Sequence, residues 1–263
     1  MSASPFLLVG LALAVGACQL RPTPSTAETP SAAPSAPAEP GPADRLVVAE
    51  LFTSEGCSSC PPADRLLGRL AAEADRDGAA LLALSYHVDY WDRLGWTDPF
   101  GSPAWTARQQ AYARTLDGRV YTPQLVVGGD AGFVGSRERQ ARRAIAEARR
   151  EAPEATVRLG ARLRGRTVHV DYAVTGELSA DARVHVLLVQ RAGASDVRRG
   201  ENRGRRLDHV HIVRAADTRE AGTGTTELAL PGGLGAGDVF VAALVQPGRV
   251  GRILGAARAE PTP

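Results

Sequence analysis

The residues best suited to chemistry are two cysteines separated by two serines, Cys57 and Cys60. A thiolate is a strong nucleophile, and two thiols at this spacing can form and break one disulfide by exchange with an outside sulfur. The same spacing also supplies half of many zinc sites, so it leaves redox chemistry and metal binding open. The flanking sequence favours the redox interpretation.

A buried strand is predicted before the two cysteines and a helix after them. Residues 46–52 form a short apolar run rich in β-formers, and Pro61 and Pro62 fit the first turn of a helix, where a missing N–H costs nothing. Apolar side chains then recur at helical spacing at Ala63, Leu66, Leu67, Leu70, Ala71 and Ala74. We therefore predict Cys57 at a helix N-terminus, where backbone N–H groups stabilise its thiolate for attack and Cys60 can resolve the mixed disulfide.

The rest of residues 45–152 alternates strand and helix patterns. The predicted strands are residues 79–88, 124–127 and 132–135, and the predicted helices are residues 104–116 and 136–150. The order βαβαββα predicts an α/β domain with a central mixed sheet, mainly parallel, in which the late hairpin forms an antiparallel edge.

Residues 153–263 lose the helical spacing and show alternating apolar and polar residues between glycine-rich turns. Six or seven strands are predicted, at residues 155–163, 167–175, 183–190, 208–215, 224–230, 238–245 and 253–257. This spacing is typical of a small antiparallel β-sandwich, which we predict as a second domain.

The N-terminus has the pattern of an export signal. Residues 6–17 are apolar but too short to span a bilayer, and Cys18 follows two small residues as in bacterial lipoprotein signals, although no basic residue precedes the apolar run. We predict that residues 1–17 are removed and that Cys18 carries a lipid anchor at the periplasm or cell envelope; a plain signal peptide is the alternative. Residues 18–44, rich in Pro, Ala and Ser, are predicted to form an extended tether.

Composition and charge limit the partners. The formal net charge is +2, and the basic residues are spread along the chain, so we expect no nucleic-acid partner. The chain has no lysine, which excludes Schiff-base chemistry. We expect no cofactor and no bound metal.

The region around the dithiol resembles the thioredoxin superfamily. The matching features are residues 48–52 before the C-x-x-C pair and Thr122-Pro123 directly before a predicted strand. The resemblance implies a cis Pro123 that lies against the dithiol and binds substrate backbone; an ordinary strand-entry proline is the alternative. It also implies that Glu50 is a buried acid that relays a proton to Cys60, whereas an edge acid facing water is the alternative.

Three longer segments, residues 50–64, 86–92 and 200–205, are similar to a family of secreted bacterial thioredoxin-like proteins of unassigned function with a C-terminal β domain. That resemblance extends from residue 45 to about residue 258. It identifies a family without indicating a substrate.

Two groups of polar and aromatic residues are further candidates. His87 and Trp91 follow a predicted strand, and we expect them to line the cleft beside Cys57, unless they are simply packed in the interior. His209 and His211 have a spacing that can chelate a metal, although such a pair more often faces solvent. Residues 200–206 are predicted to form a loop that either contacts the dithiol domain, binds an acidic group or is a solvated hairpin.

Together these features predict an exported thiol–disulfide oxidoreductase that acts on protein or small-molecule thiols with a separate redox partner. Two other functions stay open. The dithiol can bind and deliver Cu(I), although no methionine besides the initiator is present to assist it, or the β-rich part can bind a partner without catalysis.

Overall fold

A computed structural model describes residues 46–116 and 118–263. The predicted signal (residues 1–17), lipidation site (Cys18) and tether (residues 18–44) lie outside the described residues. No helix in the described part of the chain combines the length and apolar composition needed to cross a membrane. The helices and strands are, in chain order, β1 (Val47–Thr53), α1 (Pro61–Asp77), β2 (Leu81–His87), α2 (Pro103–Thr115), β3 (Gln124–Val127), β4 (Ala131–Val134), α3 (Glu138–Ala148), β5 (Ala155–Arg164), β6 (Thr167–Gly176), β7 (Ala182–Asp196), β8 (Arg206–Glu220), β9 (Thr223–Ala229), β10 (Val239–Pro247) and β11 (Gly255–Ala259).

The fold is mixed α/β, with one large mixed sheet and a second antiparallel sheet. The large sheet has eight strands in the order β11-β10-β7-β8-β2-β1-β3-β4. β1 pairs in parallel with β2 and antiparallel with β3, and β3 pairs antiparallel with β4 at the edge. Three points in the chain therefore lie together at one end of the strands: the end of β1, the end of β2 and the start of β3.

Helices cover both faces of the sheet around β1, and all seven residues of this strand are buried. Side chains of a strand alternate between the two faces. Val48 and Phe52 pack with Tyr112 of α2 on one face, whereas Ala49 and Leu51 pack with α1 on the other. Each large apolar side chain buried in this way contributes roughly 1.5–3 kcal/mol, which fixes α1 and the turn before it on the sheet.

The C-terminal strands are divided between the two sheets. β7, β8, β10 and β11 continue the large sheet, and β5, β6 and β9 form the second sheet, which packs on β7 and β10 through a shared apolar core. The junction with β2 is short and pairs Ser85 with Ile212. The two predicted parts of the chain thus share one hydrogen-bonded sheet, and β7 and β8, at fifteen residues each, are longer than the sequence pattern suggested.

Candidate functional site

The dithiol lies on the turn between β1 and α1, as predicted, and its two cysteines form a disulfide. The Cα atoms of Cys57 and Cys60 are 5.4 Å apart. Cys60 is the N-cap of α1, and its carbonyl accepts from the N–H of Ala63 at 2.8 Å and of Asp64 at 3.1 Å. The helix therefore begins at the second cysteine, and Cys57 precedes it by one tight turn.

Burial separates the two cysteines from the serines between them. Cys57 and Cys60 have 0% exposed surface, whereas Ser58 and Ser59 are exposed. The sequence predicted a helix end open to attack, but the surrounding loops cover both sulfurs. An outside sulfur therefore reaches Cys57 only when one of these loops moves.

Thr122 and Pro123 lie beside the dithiol turn, and the peptide bond between them is cis. The hydroxyl of Ser59 lies 3.5 Å from the Thr122 carbonyl oxygen and 3.3 Å from the sulfur of Cys57. The start of β3 and the dithiol, far apart in the sequence, are thus joined through one serine side chain.

Trp91 covers one side of the turn. Its indole N–H donates to the hydroxyl of Thr122 at 2.8 Å. A Cβ atom at Gly56 would lie only 2.8 Å from the Cβ of Trp91, so the residue before Cys57 must be glycine for this packing. Trp91 thus lies against the dithiol turn, packed on Gly56 and bonded to Thr122.

Residues 200–205 cover the other side; they belong to the largely exposed turn of the β7–β8 hairpin, which also contacts the dithiol turn. The buried amide of Asn202 donates to the carbonyls of Glu55 at 2.8 Å and Cys57 at 2.9 Å. The Glu201 carboxylate accepts from the hydroxyl of Ser58 and from its N–H, the latter at 3.0 Å, and both hydrogen bonds lower the pKa of Glu201. We call this segment the clamp, because it holds the dithiol turn from the C-terminal half of the chain.

A buried acid–base pair lies directly behind the turn. His209 Nε2 is 3.1 Å from Oε1 of Glu55, and Oε2 of Glu55 accepts from the Trp96 indole at 2.8 Å. Ser195 adds a hydroxyl hydrogen bond to the same carboxylate. Glu55 is fully buried, so these donors compensate for the loss of water around its carboxylate.

His87 belongs to a second buried pair, and its ring stacks edge-on against that of His209 at 4.5 Å. Its Nδ1 lies 2.8 Å from Oδ2 of Asp98, which also accepts from the N–H of Glu55. Burial lowers the pKa of His87, but the charge and hydrogen bond of Asp98 outweigh it, so the pKa is raised. Burial raises the pKa of Asp98, but His87 outweighs it, so the pKa is lowered.

These shifts predict a pH window for the stabilising effect of the pair. His87, with a raised pKa, stabilises the fold below its ordinary pKa of 6.5 and loses this effect as the pH rises through the folded value. Asp98, with a lowered pKa, stabilises above its ordinary 3.8 and loses this effect as the pH falls. Urea unfolding of the wild type and of Asp98→Asn should therefore differ most between these two values, by about 1–3 kcal/mol. A difference that is constant from pH 3 to pH 9 would contradict the ion pair.

Asp64 lies in the first turn of α1, close enough to His209 and His87 for their charges to act on it. Its carboxylate accepts from the Thr53 hydroxyl at 2.7 Å. Burial raises its pKa, although the nearby charges of His209 and His87 counteract this effect. Because the backbone of Cys60 is already helical, Asp64, four residues later, lies on the same helix face as this cysteine.

Glu50 does not face water, and the water-facing alternative is wrong. It is fully buried and contacts Arg108 Nε at 2.7 Å and the Tyr112 hydroxyl at 2.5 Å. Its side chain shares the α2 face of β1 with Val48 and Phe52, opposite the face on which α1 packs. The contacts of Glu50 are thus with α2, and Asp64 is the acid on the dithiol side of the sheet.

His209 and His211 are both buried, so the expectation that they face solvent is wrong. His209 bonds to Glu55, whereas Nδ1 of His211 lies 2.9 Å from the Ala83 carbonyl oxygen. Each ring therefore has its own partner. Within residues 46–116 and 118–263, no group of three or more His, Cys, Asp or Glu side chains is placed to hold a metal ion.

Sequence patterns did not identify four residues of this site, Glu55, Asp64, Asp98 and Asn202. All four are polar and buried. One signal was available for three of them, namely their position in the segments that resemble a bacterial family. Glu55 and Asp64 lie in residues 50–64 with the dithiol, and Asn202 lies in residues 200–205. The partners that bury them are distant in the chain, which no local pattern reveals.

The fold is similar to those of solved proteins. The crystal structure of a protein from Agrobacterium tumefaciens has a TM-score of 0.61 and 29% sequence identity, covering 83% of this chain and 95% of that chain. A domain of the outer membrane lipoprotein Omp28 from Porphyromonas gingivalis aligns with a TM-score of 0.31 and 12% identity over 42% of this chain and 90% of that domain. Among curated proteins, none matches this chain.

One family model matches residues 48–246, a range that includes the dithiol turn, Thr122-Pro123, both buried acid–base pairs and the clamp. Its description is "protein of unknown function (DUF1223)". Since the match covers most of the sequence, this chain belongs to the DUF1223 family.

Proposed function

We propose that this protein is a thiol–disulfide oxidoreductase in which Cys57 and Cys60 exchange a disulfide with an outside thiol or disulfide. One observation carries the proposal: a C-x-x-C disulfide on a strand-to-helix turn, with Thr122-Pro123 beside it. The backbone N–H groups of such a turn stabilise the thiolate that exchange requires. The second cysteine is close enough to attack a mixed disulfide formed on the first.

The exchange conserves atoms and electrons. A substrate thiolate attacks the Cys57 sulfur, the Cys57–Cys60 bond breaks, and Cys60 leaves as a thiolate that takes up a proton. A second substrate thiolate then attacks the mixed disulfide and expels Cys57. Two electrons pass to the protein, and the substrate gains one disulfide. The reverse sequence reduces a substrate disulfide, and the redox partner sets the direction.

Asp64 is the group in this scheme that exchanges a proton with Cys60. Burial raises its pKa, so its protonated form persists to higher pH than that of an exposed aspartate. It lies one helical turn from Cys60 on the same face. The nearby His87 and His209 limit the rise in its pKa, which keeps it able to accept the proton as well as to donate it.

The loops that cover the dithiol control access. Trp91 and the clamp close the two sides of the turn, and Glu201 uses the Ser58 N–H, an exposed donor that a substrate backbone can also use. A protein substrate would displace these contacts and pair with the backbone at Thr122. The fully buried sulfurs fit an enzyme that excludes most thiols until a matching partner binds.

We assign this chemistry to a thioredoxin-like unit, residues 45–152, whose sheet is extended by the C-terminal strands. The extension contributes Asn202 and His209 to the back of the site, which distinguishes this arrangement from a dithiol domain with an independent β-sandwich. Export and a lipid anchor at Cys18 complete the proposal, since a dithiol that cycles with partners suits a compartment where disulfides persist.

A redox titration tests the proposed function. The purified protein is equilibrated with graded ratios of reduced and oxidised glutathione, and its free thiols are counted by alkylation and mass spectrometry. We expect one transition in which two thiols appear together at Cys57 and Cys60, and catalysis of insulin reduction by the reduced form in the presence of excess dithiothreitol.

Two other outcomes would assign a different function to the dithiol. Binding of one Cu(I) per reduced protein with no insulin turnover would favour a copper-delivery function. A dithiol that neither turns over insulin nor binds Cu(I) would favour a binding module. Either result would overturn the oxidoreductase proposal.

A further inference from the structure

Ser59 is the side chain that contacts both the reactive sulfur and the carbonyl beside it. Its hydroxyl oxygen lies 3.3 Å from the Cys57 sulfur and 3.5 Å from the Thr122 carbonyl oxygen. A serine hydroxyl has a single proton to donate. It can therefore satisfy only one of these two acceptors at a time.

The better acceptor depends on the redox state of Cys57. In the disulfide, the sulfur is neutral and accepts weakly, so the carbonyl competes well for the proton. Once the disulfide opens, the Cys57 thiolate carries a full negative charge, and hydrogen bonds to ionised groups are roughly twice as strong as neutral ones. The hydroxyl should then turn to the sulfur.

We propose that Ser59 is a catalytic residue whose hydroxyl donates a hydrogen bond to Cys57 whenever that sulfur is charged, as nucleophile or as leaving group. The inference rests on the proposed function. It adds a residue that neither the C-x-x-C spacing nor the family match assigns.

The second acceptor couples this stabilisation to substrate binding. A peptide that extends along the start of β3 offers a backbone N–H to the Thr122 carbonyl, as strand addition requires. That N–H replaces the Ser59 hydroxyl on the carbonyl and releases it for the sulfur. The Cys57 thiolate is thus most stable when a substrate backbone is in place.

Ser58 provides a matched control in the same turn. It is also an exposed serine, but its hydroxyl and its backbone N–H both bond to Glu201 and not to the sulfur. Ser58→Ala keeps this N–H and removes only a hydroxyl. Ser59→Ala removes a hydroxyl of the same kind, from the position that contacts the sulfur.

The test measures the alkylation rate of Cys57 by iodoacetamide against pH, in the reduced full chain carrying Cys60→Ala. Mass spectrometry of the tryptic peptide of residues 46–65 separates Cys57 from Cys18. With Ser59→Ala, we expect the pH of half-maximal rate to rise by about one unit and the rate at pH values well below this midpoint to fall about tenfold. Ser58→Ala should leave the curve unchanged, and Ser59→Thr should restore it.

An unshifted curve for Ser59→Ala, or an equal shift for Ser58→Ala, would overturn the inference. If Ser59→Ala does not fold, Ser59→Val and Ser59→Thr give a comparison of equal shape with and without the hydroxyl. Alkylation needs no redox partner or substrate, so its result is separate from insulin turnover. If the wild type does not reduce insulin but Ser59→Ala still shifts the pH dependence of alkylation, the oxidoreductase proposal is rejected. The hydrogen bond between the Ser59 hydroxyl and the Cys57 thiolate is then retained.

Discussion

Replacing Cys57 by alanine is expected to abolish all measurable disulfide exchange, whereas replacing Cys60 by alanine should leave Cys57 joined to its partners in stable mixed disulfides. The two variants differ because the first cysteine attacks and the second releases the product. Cys60 is the N-cap of α1, whereas Cys57 precedes the helix and is the sulfur that the Ser59 hydroxyl contacts, so we assign the attack to Cys57.

The measurement is a non-reducing separation of proteins bound to each variant in cell-envelope extracts, followed by mass spectrometry of bonds to the peptide of residues 46–65. Ser58→Ala is the control, since Ser58 lies in the same turn and its hydrogen bonds go to Glu201. Equal trapping by Cys57→Ala and Cys60→Ala would contradict the assigned order of attack. The same result would follow if Cys18 were the reactive cysteine, which the peptide analysis identifies.

The helices and strands could be predicted from the sequence because their patterns are local. The strand predicted at residues 124–127 is β3, Gln124–Val127, and the helix predicted at residues 104–116 is α2, Pro103–Thr115. Apolar residues at helical or alternating spacing report which side of an element is buried. The position of the dithiol between β1 and α1 follows from the same patterns.

The way the two halves meet could not be predicted. Alternating residues in β7 and β8 indicate strands but not their neighbours, so the sequence favoured a separate sandwich over a sheet continued from β2. The pairing of Ser85 with Ile212 joins residues distant in the chain. Strand order depends on such long-range contacts, which leave no periodic signal in either strand.

The buried polar residues escaped prediction for a related reason. A charged side chain is usually exposed, and a buried one is tolerated only beside a partner. Glu55 needs His209, and His87 needs Asp98, but neither partner is identifiable from the sequence around the first residue. Buried pairs thus appear only in the folded structure, although they form the back of the candidate site.

Glu50 shows how such a pair changes the assignment of a function. Its position before the dithiol implied a proton relay to Cys60, but its carboxylate bonds to Arg108 and Tyr112 on the opposite face of β1. Burial lowers the pKa of Arg108, and the Glu50 carboxylate raises it above its ordinary value. The arrangement is that of a structural ion pair, extended by Gln246, which accepts from Arg108 at 2.7 Å.

Glu50→Gln should therefore lower the free energy of unfolding by about 3–5 kcal/mol, because it leaves the buried guanidinium of Arg108 without its counter-charge. Urea unfolding followed by tryptophan fluorescence measures this loss. The double variant Glu50→Gln with Arg108→Met should recover much of it, since an uncharged pair of similar volume avoids the cost of burying a lone charge.

The exchange rate of the folded variants should equal that of the wild type, whereas Asp64→Asn should slow the release of product by Cys60. A Glu50→Gln protein that unfolds like the wild type but exchanges disulfides tenfold more slowly would restore Glu50 as the proton relay and remove Asp64 from that role.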